Sequence, residues 1–321
     1  MSAKEQVDLI IDADTAGDDV VSLVIACLHP NVRLRAVTVC MGNVDFDQQV
    51  RNTLYTLEQC AAEQRVPVYA GSRQPLQGPL RMATEVHGMD GMGDSNFPPP
   101  KRATAATDED AVSALLRLTR EMPGQLTILA QAPLTNIATA VIRDADFARN
   151  TGRLFIMGGT YFCRGNVTPA AEYNFFADPK AAAVVLQAGF SHCRLVDWGV
   201  CLRDGVWDRR MLDRLANSDA KLCKFVFATI RRNVEFCQTT LRIDGNVASD
   251  SLAVALIADQ SICRGWIPSY MEVETSGRLT RGATVVDTLD ERVNVHVCQG
   301  IDSAAYKTMI YDILMSRPGS R

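Results

Sequence analysis

VDLIIDADTAGDDVVSLVIACLHP, residues 7–30, is the stretch whose reading decides the fold. It opens with a short, β-branched apolar run, residues 7–11, of the kind that forms a parallel strand buried on both faces. From Val20 to Leu28 the apolar pattern is that of a helix, stopped at His29-Pro30. Between the two stand Asp12, Asp14, Asp18 and Asp19. These carboxylates fall at the carboxyl end of a strand and in the first turn of the next helix, which is where open α/β sheets bind ligands. One or two aspartates there serve as helix caps. Four repel one another at neutral pH unless a cation lies among them, and oxygen-only ligation favours Ca²⁺ or Mg²⁺ over zinc.

Outward from this stretch the alternation continues. Strand-like runs fall at 32–39, 66–69, 126–130, 153–157 and 194–198, with helical segments at about 47–63, 108–121, 134–141 and 179–186. The last of these helices has Asp178 as its cap, Pro179 at its first position and Gly189 beyond its end. Such alternation predicts an α/β fold: a single domain, residues 1–321, with a mainly parallel central sheet, helices on both faces and a Rossmann-like core. A less regular C-terminal part is expected from about Asp208. The long segment 71–105 is irregular and rich in Gly, Pro and Met, and loops of that length in a compact domain usually serve function.

The 321 residues are 47% hydrophobic and carry a net charge of -4, with no basic run, which argues against nucleic acid as the main partner. The N-terminus MSAKEQVDLIID lacks the apolar core of a signal peptide, and no stretch is long and apolar enough to span a bilayer. Ten cysteines occur singly, without a CxxC pair or a zinc-spaced histidine, as expected of reduced core thiols. Together these features predict a cytoplasmic protein that engages neither nucleic acid nor membrane.

If the first strand end is a site, other strand ends should bring polar groups to it. Gly42-Asn43 follows the second strand, Gln131 the strand 126–130, and Gly158-Gly159 the strand 153–157. Shortly after comes GNVTPAAEYN, residues 165–174, which sets Asn166, Glu172 and Asn174 among small and apolar neighbours. Amides both donate and accept, so with a carboxylate they suit vicinal hydroxyls: a polyol or sugar ligand.

As an ordered set, these residues resemble the nucleoside hydrolases, the inosine-uridine-preferring N-ribohydrolase family. The resemblance rests on DADTAGDD from Asp12, the turn Gly42-Asn43, HGMDGMGD from His87, APLTNIA from Ala132, MGG from Met157, NVTPAAEYNFFADP from Asn166 and SDSLAVA from Ser249. It implies a nucleoside hydrolase-like fold and Ca²⁺-dependent hydrolysis of the N-glycosidic bond of ribonucleosides to ribose and free base. Arginines near the site would hydrogen-bond a purine carbonyl or ring nitrogen, so inosine and guanosine are the favoured substrates, with uridine as a further one, in purine salvage; a homodimer or homotetramer is implied by the resemblance alone. By the same resemblance Asp14 is metal ligand and general base, and Asp19 and Asp250 are metal ligands. Gln131 offers the ion its backbone carbonyl, which leaves its side chain little to do. Asp18, Asn43, Asn166, Glu172 and Asn174 match groups that hold the ribose hydroxyls, and Met157 matches an apolar residue under the sugar. His87 matches a position near the substrate, while Asp12 supports the loop.

The chain departs from the family pattern where many members carry a histidine just before the late metal-binding aspartate: here that substrate-side position is Ser249. Activation of the leaving base therefore has no assigned residue, and Arg231, Arg232, Arg242 and Trp198 are the candidates. Two alternatives compete. The opening IDADT also fits haloacid dehalogenase-type phosphatases, which would require a later lysine and a distant acidic pair and leave NVTPAAEYN unexplained. A non-catalytic nucleoside or ribose binder would have no need of a base at Asp14.

Overall fold

The protein, described here from a computed structural model over residues 6–289 and 291–316, is organised around a buried strand that no neighbour leaves exposed. Numbered in chain order, the strands are β1 (Val7–Ala13), β2 (Val32–Val39), β3 (Val68–Ala70), β4 (Thr127–Ala130), β5 (Arg153–Met157), β6 (Cys193–Val196), β7 (Val206–Asp208), β8 (Gly245–Val247), β9 (Cys263–Val273), β10 (Thr284–Asp287) and β11 (Val295–Ile301). β1 pairs in parallel with β2 on one side and β4 on the other. The full sheet runs β10-β9-β11-β6-β5-β4-β1-β2-β3, while β7 and β8 form a separate antiparallel pair. Pairing is parallel from β3 across to β11; only the β9–β10 and β9–β11 pairs are antiparallel. The expected mainly parallel α/β sheet is therefore present.

Alternation along β1 explains why both faces are covered. Leu9, Ile11 and Ala13 enter one core and Ile10 enters the other. On the first face lies the helix Gly17–Leu28, packed against the helix Ser249–Ala258, every residue of which is buried. On the second face lie Ala111–Glu121, Thr135–Arg143 and Pro179–Leu186. Asp178 caps the last of these by accepting from Ala181 N at 3.1 Å, as its sequence predicts.

Two expectations give way. The segment 194–198 is a strand only to Val196: the Asp197 carboxylate accepts from the backbone N–H of Gly199 and Val200 and starts the helix Trp198–Asp204. The chain beyond Asp208 is not irregular. Its described residues form five α-helices, among them Lys221–Thr229, Arg231–Phe236 and Ser303–Met315, together with β8 to β11. Pro268 hides β9 from a sequence reading, yet it is tolerated, because β10 pairs only with residues 270–273 and leaves an open edge there. Among the described residues no helix is long and apolar enough to cross a membrane.

A buried hydrogen-bond cluster locks the C-terminal helix beneath Ser249–Ala258. Trp207 Nε1 donates to Tyr306 Oη at 3.0 Å, and the hydroxyls of Tyr306 and Ser251 are hydrogen-bonded to each other at 2.5 Å. Tyr306→Phe leaves the indole N–H unpaired in the core and should cost about 1–3 kcal/mol in urea unfolding. A loss indistinguishable from zero would show that this cluster contributes no net stability.

Candidate active site

Asp18, Asp19 and Asp250 bring carboxylate oxygens within 4.8 Å of one another. Asp14 joins them from the end of β1, with Oδ2 accepting from Asn43 N at 3.0 Å. That approach requires a glycine at position 42, where a Cβ would stand 1.9 Å from Asp14 Oδ2. Asp19 Oδ2 accepts from Ala16 N at 3.0 Å and Oδ1 from Gln131 Nε2 at 2.8 Å. Asp14 Oδ1 and Asp18 Oδ1 are buried with no hydrogen-bond partner among the described residues.

The electrostatics are one-sided. Burial first, then the charges of the neighbouring acids, raise the pKa values of Asp14 and Asp250 well above the ordinary carboxylate value. The same causes push Asp19 up to about 8. Burial raises Asp12 to about 7, although Thr38 and Asn136 donate to its Oδ1 at 2.5 and 2.8 Å; these bonds tie it to the sheet, away from the pocket. An oxygen-only donor set with two oxygens unpartnered among the described residues fits a hard divalent cation.

Beside this cluster opens a concave pocket. Asp18, Asn43, His87, Gln131, Met157, Asn166, Glu172, Asn174, Ser249 and Asp250 all line it, with Asp14 and Asp19 behind them. Each strand end thus delivers its residue to one place. Glu172 caps the short helix Tyr173–Ala177: Oε1 accepts from Asn174 N at 2.9 Å and Oε2 from Gly159 N at 2.7 Å. Burial raises its pKa to about 7. Asn174 Nδ2 donates to the carbonyls of Gln131 and Met157, both at 3.0 Å, and Asn166 Oδ1 accepts from Tyr173 N at 2.8 Å. His87 Nδ1 stands 3.9 Å from Asp18 Oδ1, and burial lowers the pKa of this imidazole.

Some residues fall elsewhere. Arg231, Arg232 and Arg242 do not line the pocket. Arg231 donates to Gly93 O at 2.7 Å, and Arg232 pairs with Asp94 and Glu235 on the surface. Trp198 does line it, and its buried Nε1 has no acceptor among the described residues. The sequence reading passed over Asn233, Phe236 and Leu241, which close the far wall. Asn233 and Phe236 share a helix face at a three-residue spacing, a usable signal, whereas Leu241 arrives by way of a π-helical turn, Cys237–Leu241, that no periodicity predicts. The Gln131 side chain is not idle, because it is hydrogen-bonded at both ends.

The chain is similar to proteins named as nucleosidases and nucleoside hydrolases. Probable uridine nucleosidase 2 of Arabidopsis thaliana is 31% identical, covering 98% of this chain and 99% of that protein. A plant nucleoside hydrolase structure superposes with a TM-score of 0.90 at 28% identity, covering 97% of this chain and 99% of the other. An inosine-guanosine nucleoside hydrolase structure gives 0.89 at 29% identity, covering 97% and 100%. The sequence model of the inosine-uridine preferring nucleoside hydrolases matches residues 9–308, nearly the whole described chain, and with these strand ends, this acid cluster and this pocket the chain belongs to that family of N-ribohydrolases.

Proposed function

We propose that this enzyme is a Ca²⁺-dependent ribonucleoside hydrolase that releases ribose and free base from inosine, guanosine and uridine. The observation that carries the reading is the buried carboxylate cluster opening on a pocket lined by amides together with aromatic and apolar side chains. When bound, a Ca²⁺ ion supplies Lewis acidity and a template that lowers the pKa of a water and holds the ribose diol. Asp14, Asp19, Asp250 and the Gln131 carbonyl would hold it.

The remaining work belongs to side chains. Asp14 Oδ1, which has no hydrogen-bond partner among the described residues, takes the proton of the attacking water. Asp18, Asn43, Asn166, Glu172 and Asn174 grip the ribose hydroxyls, and Met157 packs under the sugar ring. The acids around the ribose stabilise positive charge as the sugar becomes oxocarbenium-like. Trp198, Tyr173 and Phe236 give the base aromatic surface, and His87 reaches the pocket as a neutral imidazole because burial lowers its pKa.

Breadth of base is part of the proposal. Arginines near the base would favour 6-oxopurines, but among the described residues the lining includes neither arginine nor lysine. The relatives named above are a probable uridine nucleosidase and an inosine-guanosine hydrolase, at 31% and 29% identity, which favours acceptance of both base classes. A cytoplasmic homodimer or homotetramer serving nucleoside salvage, purine salvage included, completes the reading.

Ribose release from inosine, guanosine and uridine should be abolished by chelation and restored by Ca²⁺. Absence of release from all three with Ca²⁺ present would leave a nucleoside-binding protein instead. Asp14→Ala should lower kcat by several orders of magnitude with the fold retained, and Ser249→Ala should be far milder; a Ser249 loss as large as that of Asp14 would place the leaving-base function at that hydroxyl.

Stability should follow the same electrostatics. For carboxyls whose folded-state pKa is raised, the neutral form is favoured by folding, so their contribution is full below the ordinary value of 3.8 and is lost as pH rises through about 8. Metal-free protein should therefore lose melting temperature between those limits, and Ca²⁺ should restore it at the upper end. A flat profile without Ca²⁺ would mean that the acids are already compensated.

A further inference from the structure

We propose that the Gln131 side chain, oriented by Ser22, is a positioning residue that fixes the Asp19 carboxylate for the cation; the inference rests on the Ca²⁺ reading above. Asp19 and Ser22 are one turn apart on the helix Gly17–Leu28, and Gln131 follows β4 from the far side of β1. Gln131 Nε2 donates to Asp19 Oδ1 at 2.8 Å, and Ser22 Oγ donates to Gln131 Oε1 at 2.7 Å. All three side chains are essentially sealed from solvent, with exposures of 0, 0 and 1% for Asp19, Ser22 and Gln131.

The orientation of the amide follows from chemistry. A carboxylate only accepts, so the face of Gln131 toward Asp19 must be its NH₂, and a hydroxyl donor on the other face holds it that way. Reversing the amide would set two acceptors against each other in a dry interior. The backbone of Gln131 is pinned as well: its N–H donates to Asp12 O at 3.0 Å and its carbonyl accepts from Asn174 Nδ2 at 3.0 Å. One residue therefore joins the end of β1, the acid cluster and the sugar-binding wall.

A carboxylate oxygen has about two lone-pair sites, so Asp19 Oδ1 can accept from Gln131 and still face a cation. Without the amide, Asp19 would keep the Ala16 and Asn43 contacts on Oδ2, at 3.0 and 3.5 Å, and repulsion from Asp18 would turn the other oxygen out of the cluster. Outer hydrogen bonds of this kind are worth about 10–100-fold in metal affinity. The side chain acts through Asp19.

The test is calorimetric titration of Ca²⁺ into chelator-stripped protein, wild type against Gln131→Met, Ser22→Ala and the double variant. Met has similar length, retains the backbone carbonyl and lacks the donor. Gln131→Met should bind Ca²⁺ about 10–100-fold more weakly. Ser22→Ala should lose less, and the double variant should be no weaker than Gln131→Met, since Ser22 acts only through the amide. Excess Ca²⁺ should return kcat toward wild type. Unchanged affinity in Gln131→Met, or losses that add independently, would overturn the proposal. Should Gln131→Met fail to fold, Ser22→Ala decides: weakened Ca²⁺ binding by protein that is still folded supports the relay, and wild-type affinity refutes it. Failure of the wild type itself to bind Ca²⁺ would instead overturn the ion reading.

Discussion

Four carboxylates share a small volume from which water is largely excluded, and the charges acting on them are those of other acids. Removing even one ionised carboxylate from water costs several kcal/mol when no partner compensates it. No fold would assemble such a cluster for stability alone. The cluster makes sense as the protein's part of a cation site, with hydrogen bonds from Asn43, Ala16 and Gln131 holding the oxygens and two oxygens without a partner among the described residues.

The architecture exists to keep that arrangement rigid. β1 is sealed on both faces and paired on both edges, so its carboxyl end cannot yield when charges accumulate on it. The helices Gly17–Leu28 and Ser249–Ala258 pack on each other and carry Asp18, Asp19 and Asp250 in their first turns. Acids there also lie at the positive ends of both helices, which offsets part of their repulsion. The sugar side is built in the same way, with Glu172 committed to backbone N–H groups while it faces the pocket.

Much of this was legible in the sequence because local patterns encode it. The β-branched run before the aspartates, the Asp178-Pro179 helix start and the polar residues after each strand all survive in the structure at the positions read. What escaped depends on long-range contacts. The side chain of Gln131 finds Ser22 and Asp19 across more than a hundred residues of chain, and nothing near it in sequence announces them. The regularity beyond Asp208 was masked by Pro268 and by short helices that run together. The far wall of the pocket depends on a π-helical turn that shifts Leu241 off the helical period. Arginines 231 and 232, attractive by charge, point instead to Gly93, Asp94 and Glu235.

The most direct test of the central claim is a crystal structure of the protein grown with Ca²⁺ and a non-hydrolysable nucleoside analogue, with the ion located by anomalous scattering. The account predicts one ion, within about 2.3–2.6 Å of carboxylate oxygens from Asp14, Asp19 and Asp250 and of the Gln131 carbonyl, with the ribose hydroxyls beside it. Analogue bound in the pocket with no ion among these acids would contradict it, because the carboxylates would then be shown to hold together without the cation that their burial demands.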